Sequence, residues 1–281
     1  MCGAIRDKYN SLGAQFSFLL WPTSDELTSP DGHGKFTTFQ NGPIYWSAAG
    51  GAHPVVNSIL NRWGVHGYET GFIGYPTTDE IVNADGVGRR QEFQGAAIYW
   101  HPVQNLASSV IGGAIRDKWN SVGAETGPLG YPSSDEIPVT KNNGRYNNFV
   151  NGTITWSAPT GARLLYGAIR DRWTQFGRED GEMGYPISDE QTAADGIGHF
   201  ANFEDRSAIY SLPPIGAWRI PEILLNIWGG EGHEGGILGY PVAGVVDPSQ
   251  LSPGVSLSQR YQKGSIAFTN DHQALIAVYH P

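Results

Sequence analysis

Five times along the chain an aromatic residue is followed thirteen positions later by proline, at Tyr9/Pro22, Trp63/Pro76, Trp119/Pro132, Trp173/Pro186 and Trp228/Pro241. Successive prolines stand 54, 56, 54 and 55 residues apart, so one unit of about 55 residues is written five times and occupies nearly all of the 281 positions. A period of this length signals a solenoid, a propeller or a closed array. No room is left for a separate catalytic domain, and function is expected from the repeat surface or from the seams between repeats.

The sequence divides into approximate repeats 3–50, 51–106, 107–161, 162–215 and 216–273 of a single repeat domain. Each unit carries a short helical signal: Ile5 to Tyr9, Ile59 to Trp63, Ile115 to Trp119, Ile169 to Trp173 and Leu224 to Trp228. An apolar residue followed four positions later by an aromatic puts both on one helical face, which belongs to the core. Four positions further on stand Gly13, Gly67, Gly123, Gly177 and Gly232, where a left-handed residue would stop the helix. Seventeen residues after the first four prolines lie Phe39, Phe93, Phe149 and Phe203. Between them and the isoleucines that follow are turn signals, clearest at Asn41-Gly42 and Asn151-Gly152, which predict type I′ hairpins. The fold class expected is mainly β with short helices, as helix-loop-hairpin units.

The stretch before each later helix, such as Ala162 to Gly167, has no counterpart before the first repeat, whereas Ala274 to Tyr279, followed by His280, resembles a lead-in with no helix after it. The simplest reconciliation is that residues 274–281 close onto repeat 1, giving a propeller-like pseudo-fivefold ring. An open, capped solenoid is the alternative.

The second hairpin strand supplies the candidate ligand-binding residues: Tyr45-Trp46, Tyr99-Trp100, Trp156 and Tyr210. Strand alternation puts the preceding isoleucine and the Trp on one face and the Tyr on the other. If the isoleucine face is core, the tyrosines look outward; a strand end near a seam could instead open the Trp faces for stacking on a sugar ring.

A net charge of −9 without a basic stripe excludes nucleic acid and anionic membrane as natural partners, and no apolar run approaches membrane-spanning length. The lone Cys2 makes no internal disulfide, and the first residues do not read as a signal peptide, so a cytoplasmic or unconventionally secreted chain is expected. No cofactor, metal or catalytic residue is assigned. The histidines have no metal-binding spacing, and neither a nucleophile elbow nor a phosphate loop is present.

The acidic pairs Asp25/Glu26, Asp79/Glu80, Asp135/Glu136 and Asp189/Glu190 invite a glycosidase reading. Adjacent residues of an extended segment point apart, however, and a hydrolase has one constellation rather than four copies. The plainer expectation is that the Asp caps a turn and the Glu pairs with a basic group across the repeat. Asp31-Gly32, Asp85-Gly86 and Asp195-Gly196 read as turns before the hairpin rather than as calcium loops. Glu69, Glu125, Glu179 and Glu234 read as ties that hold the Gly-rich loop. The fifth unit has Gly244-Val245 where the others have Asp-Glu, so up to four similar sites are expected rather than five.

The recurring Gly-Tyr-Pro-x-Ser/Thr-Asp-Glu, with the Trp and Gly-rich loop before it and Phe and Ile-x-Trp-Ser after it, resembles the LGFP tandem-repeat family. The matching cores are Ile73 to Pro76, Leu129 to Pro132, Met183 to Pro186 and Leu238 to Pro241, with Tyr in place of the Phe of the family name. The resemblance covers essentially the whole chain and implies a cell-wall-associated or glycan-associated binding module. The expected function is a non-enzymatic, multivalent lectin with shallow sites at the repeat seams, its partner a cell-surface or cell-wall glycan. A structural or protein-interaction scaffold is the alternative, and a glycoside hydrolase using the Asp-Glu pairs the third.

Overall fold

The computed structural model describes residues 3–102 and 106–279, with backbone alone for 106–111; Cys2 and His280 lie outside these limits. Five helices, α1 (Gly3–Ser11), α2 (Asn57–Val65), α3 (Ala114–Ser121), α4 (Gly167–Gln175) and α5 (Glu222–Gly230), stand where the aromatic spacing predicts them. At eight or nine residues each is too short to persist alone in water. Their stability comes from the buried pair on one face, Ile5 with Tyr9 through Leu224 with Trp228. All five glycines that follow are left-handed, with φ of 105°, 82°, 98°, 87° and 90°, and they stop the helices as expected.

After each helix comes a four-stranded antiparallel sheet in simple sequential order. The first comprises β1 (Leu27–Thr28), β2 (Lys35–Phe39), β3 (Gly42–Ser47) and β4 (Gly51–Pro54). The second holds β5 (Ile81–Val82), β6 (Arg89–Glu92), β7 (Ala96–His101) and β8 (Leu106–Ile111). The third is built from β9 (Ile137–Val139), β10 (Gly144–Asn148), β11 (Gly152–Ser157) and β12 (Gly161–Tyr166). The fourth has β13 (Gln191–Thr192), β14 (His199–Asn202), β15 (Ala208–Leu212) and β16 (Gly216–Ile220). The fifth has β17 (Pro241–Val245), β18 (Val255–Tyr261), β19 (Gly264–Thr269) and β20 (Ala274–Val278).

By contacts the chain forms two compact units, one of Met1–Ile137 with Asn147–Val150, the other of Pro138–Tyr146 with Asn151–Pro281. In both, the lead-in before a helix is the fourth strand of the preceding sheet: β4 runs into α2, and β16 into α5. Cutting the chain at residue 50 or 215 therefore severs a hairpin, Ile44 facing Pro54 and Tyr210 facing Trp218. The C-terminal lead-in likewise pairs with β19 as the outer strand of the fifth sheet, Ile266 facing Ile276, while the first sheet ends at β1 and β4. The hairpins at Asn41 and Asn151 form, but neither asparagine has the positive φ that a type I′ turn requires. In the first, Phe39 pairs with Gly42, which makes Gly42 a strand residue and Gln40-Asn41 the loop; the Asn41 amide donates to the Phe18 carbonyl at 2.7 Å.

Both faces of the third strand are covered in the first four sheets, and this decides the packing. Ile44 packs under its own helix with Ile5, Tyr9, Leu19 and Phe39, whereas the adjacent Tyr45 joins the next repeat's cluster of Val55, Ile59, Trp63 and Ile73. Ile209 with Trp173, then Tyr210 with Trp228, repeats the arrangement in the other unit. Each helix Trp indole donates to the carbonyl of the glycine before Tyr-Pro, Trp63 to Gly74 at 3.0 Å and Trp228 to Gly239 at 3.0 Å, so the buried ring leaves no donor unsatisfied. Pro22, Pro76, Pro132 and Pro186 bridge to the phenylalanines seventeen residues later. Aromatic residue, proline and phenylalanine thus form one frame.

Candidate functional site

Covering both strand faces overturns one expectation. Tyr45, Tyr99 and Tyr210 do not look outward: they are 7%, 4% and 7% exposed. Their rings meet the edge of the next helix's Trp, with centroids 4.7, 4.9 and 4.7 Å apart for Trp63, Trp119 and Trp228. Burial pushes the Tyr210 hydroxyl up to about 12, with the Glu234 charge adding to the effect. These tyrosines are interface core. Trp46, Trp100 and Trp156, by contrast, are half-buried.

Trp46 and Trp100 line two equivalent niches. Hairpin register sets Lys35 directly opposite Trp46 and Arg89 opposite Trp100. The Glu of the Asp-Glu pair closes each niche: Lys35 Nζ lies 3.2 Å from Glu26 Oε1, and Arg89 Nε lies 3.5 Å from Glu80 Oε1. The third side is the N-terminus of the repeat's helix, Gly3-Ala4-Ile5 in one and Asn57-Ser58-Ile59 in the other. The cavities measure about 230 and 210 Å³. Trp100 Nε1 is buried and has no hydrogen-bond partner among the described residues. Burial raises the Glu80 carboxyl above its ordinary range, Arg89 only partly offsetting it.

An aromatic wall beside a carboxylate and a cation can stack on the apolar face of a ring while donating to and accepting from its hydroxyls. In the fourth and fifth repeats the set is incomplete. In the fourth repeat Ser211 holds the Trp position and faces His199, whose Nδ1 lies 3.9 Å from Glu190 Oε1. In the fifth, Phe268 and Val245 hold the Trp and Glu positions. The third repeat keeps all three residue types in Glu136, Arg145 and Trp156. The tryptophans could be singled out from sequence; Lys35, Arg89 and the helix ends could not, because only counting back through the hairpin register brings them together.

The other repeated polar residues serve the seams. Asp79 does not cap its own turn: it accepts from Lys8 Nζ of the preceding helix at 2.8 Å and contacts His53 Nδ1 at 2.7 Å. Burial alone would raise its carboxyl, but these partners hold it below the usual range. Asp135 is gripped in the same way by Arg62, through Nε at 3.0 Å and Nη2, and by His66. Asp79 and Glu80 thus go to different places, one to the seam and one to the niche.

Asp31, Asp85 and Asp195 form turns as expected, and each accepts a hydrogen bond from the Tyr-Pro tyrosine of the next repeat, from Tyr75 at 2.6 Å, Tyr131 at 2.6 Å and Tyr240 at 2.7 Å. Glu125 and Glu234 accept from Ala84 N and Ala194 N of the neighbouring turn, tying the Gly-rich loop across the seam. Among the described residues no cluster of three potential metal ligands occurs, and no helix is long and apolar enough to cross a membrane.

The family model described as LGFP repeat matches residues 19–71, 73–127, 129–181 and 183–236. No curated protein matches. Among solved structures, the extracellular domain of BT4673 from B. thetaiotaomicron is 10% identical with a TM-score of 0.16; the match covers 91% of this chain and 27% of that one, so the chain spans little more than a quarter of it. The hemopexin fold protein CP4 from cow pea is 11% identical, with 70% of this chain and 92% of that chain covered and a TM-score of 0.18. The TCP10 domain of Danio rerio CPAP, in complex with a peptide of STIL, is 11% identical over 91% and 99%, with a TM-score of 0.16. Scores this low carry no argument about fold or function.

Proposed function

The chain belongs to the LGFP repeat family, and from that premise we propose that it is a non-enzymatic carbohydrate-binding protein acting through the Trp46 and Trp100 niches, with Trp156 marking a third. The observation that carries this reading is the recurrence of one construction, an indole facing a Lys or Arg that is itself paired to a Glu, in consecutive repeats. Cavities of 230 and 210 Å³ suit one sugar residue each, and several weak sites on one body would give avidity on a glycan-covered surface. A glycan array and a pull-down on insoluble cell-wall polysaccharide test it. Trp46→Ala combined with Trp100→Ala is expected to lower retention at least tenfold without lowering Tm by more than a few degrees. No hit on either format with the native chain sinks the reading.

We also propose that the five units close into a ring. Two ends support it. Trp21 stands where Tyr75, Tyr131 and Tyr240 bond to a preceding turn, and it is 60% exposed. Ala277, by register, stands where Val55, Leu165 and Ile220 are fully buried before the next helix, and β20 is exposed throughout.

A protein-interaction scaffold is favoured by one feature, the exposed Phe16, Phe18 and Trp21 of the first repeat. Capture of one protein partner that free sugars do not displace would select that reading instead.

A further inference from the structure

At two seams the basic residue of a helix is answered by a carboxylate of the next repeat, Lys8 by Asp79 and Arg62 by Asp135. Arg172 holds the same helix position in the fourth repeat, but the fifth places Gly244 where that Asp should be. Its guanidinium lies 4.4 Å from the centre of the Trp218 ring, its Nε donates to the Ala217 carbonyl at 2.7 Å, and Nη1 donates to Gln175 at 3.0 Å. Among the described residues no carboxylate lies within ion-pair distance of it, and Nη2 keeps its donors uncommitted.

The missing carboxylate leaves a pocket of about 300 Å³, at the small end of the roughly 300–1,000 Å³ seen for small-molecule sites. Arg172, Trp218, Arg219 and Val245 line it. Its other charges are already engaged. Arg219 pairs with Glu182 at 2.8 Å and Asp205 at 2.5 Å, and Asp247 at the rim accepts from Ser249 N and Oγ.

We propose that this pocket binds an acidic monosaccharide of the uronic acid class, its carboxylate taking on Arg172 the place that Asp79 and Asp135 fill at the earlier seams. The Trp218 indole in the wall suits the ring. The sugar part of the assignment rests on the carbohydrate reading above; the carboxylate part rests on Arg172 alone. The pocket shares no residue with the Trp46 and Trp100 niches.

Gly244 gives a direct test, because a Cβ added there meets only the Trp218 ring, at 3.9 Å, an ordinary contact that leaves the backbone free to carry an Asp. Isothermal titration of the full chain with sodium D-glucuronate, methyl glucoside and sodium acetate should give binding by glucuronate alone. Arg172→Gln should weaken it at least tenfold, and Gly244→Asp, which supplies an internal carboxylate, should abolish it while raising Tm. Silence with glucuronate at millimolar concentration overturns the proposal, as does equal binding by methyl glucoside or undiminished binding by the Gly244→Asp variant. Equal binding by acetate overturns the sugar-acid assignment. Retention on neutral cell-wall polysaccharide through Trp46 and Trp100 is a separate measurement that none of these outcomes alters.

Discussion

A tyrosine hydroxyl locks each described seam to a turn, and its neighbourhood explains a glycine that sequence reading passes over. Gly34, Gly88 and Gly198 lie buried against the hydroxyls of Tyr75, Tyr131 and Tyr240, so that a Cβ at any of them would collide with the phenol ring. Tyr131→Phe removes the bond to Asp85 and should cost about 1–3 kcal/mol; Gly88→Ala, which must push the whole ring aside, should cost about as much by overpacking. Urea midpoints for the two variants check this, and an unchanged midpoint for Gly88→Ala would show that the seam yields. Glu190 gives a pH signature. Burial raises its carboxyl from 4.5 to about 7, the Tyr166 N–H only partly opposing. Because the folded state holds this proton more tightly than the unfolded one, the group costs nothing below pH 4.5, and stability falls as pH rises from there to about 7. The full penalty above pH 7 is on the order of 3 kcal/mol. Glu190→Gln should flatten that slope between pH 5 and 8, and a variant whose urea midpoint still falls with pH would assign the effect elsewhere.

Among the elements, helix and hairpin were legible because each carries a local signal: the aromatic four positions after Ile or Leu, the left-handed glycine, and the seventeen-residue step from proline to phenylalanine. The orientation of the hairpin strand was not. Alternation tells which residues share a face, but a strand covered by its own helix on one side and by the next helix on the other has no outward face in its middle, and Tyr45, Tyr99 and Tyr210 were misplaced for that reason. The niche was half legible, since Trp46 and Trp100 stood out by residue type while Lys35 and Arg89 reach them only through register. Seams between elements are likewise carried by pairs far apart in sequence. Arg62 and Asp135 are 73 residues apart, partly buried, and joined by two hydrogen bonds. Loss of Asp135 leaves Arg62 and His66 without their shared acceptor, so Asp135→Ala should destabilise by about 2–4 kcal/mol and Arg62→Ala by less, because His66 still answers the carboxylate. A double-mutant cycle with a coupling near zero would mean that the pair is ornamental.

Over the whole molecule, stability in a repeat protein is a sum of units and the interfaces that join them. Here the interfaces carry several polar ties. Beyond the Tyr–Asp and Arg–Asp pairs, Gln91 reaches from the second sheet to the Pro54 carbonyl of β4 at 2.9 Å, and Gln259 reaches from the fifth to the Arg219 carbonyl of β16 at 2.8 Å. The strands β4 and β16 are therefore used twice, once by their own sheet and once by the following repeat, whereas β20 is exposed along its length. Its Leu275, Ile276 and Val278 are 55%, 36% and 39% exposed. If ring closure supplies the missing neighbour, removal of residues 272–281 strips the first repeat of an interface as well as the fifth of a strand. The truncated chain should then melt in a single transition at a markedly lower temperature, and amide exchange should rise in α1 as well as in β18 and β19. If the chain is open, only the fifth sheet loses a hydrogen-bonded edge: exchange rises in β19 alone, α1 keeps its protection, and the closure proposal falls.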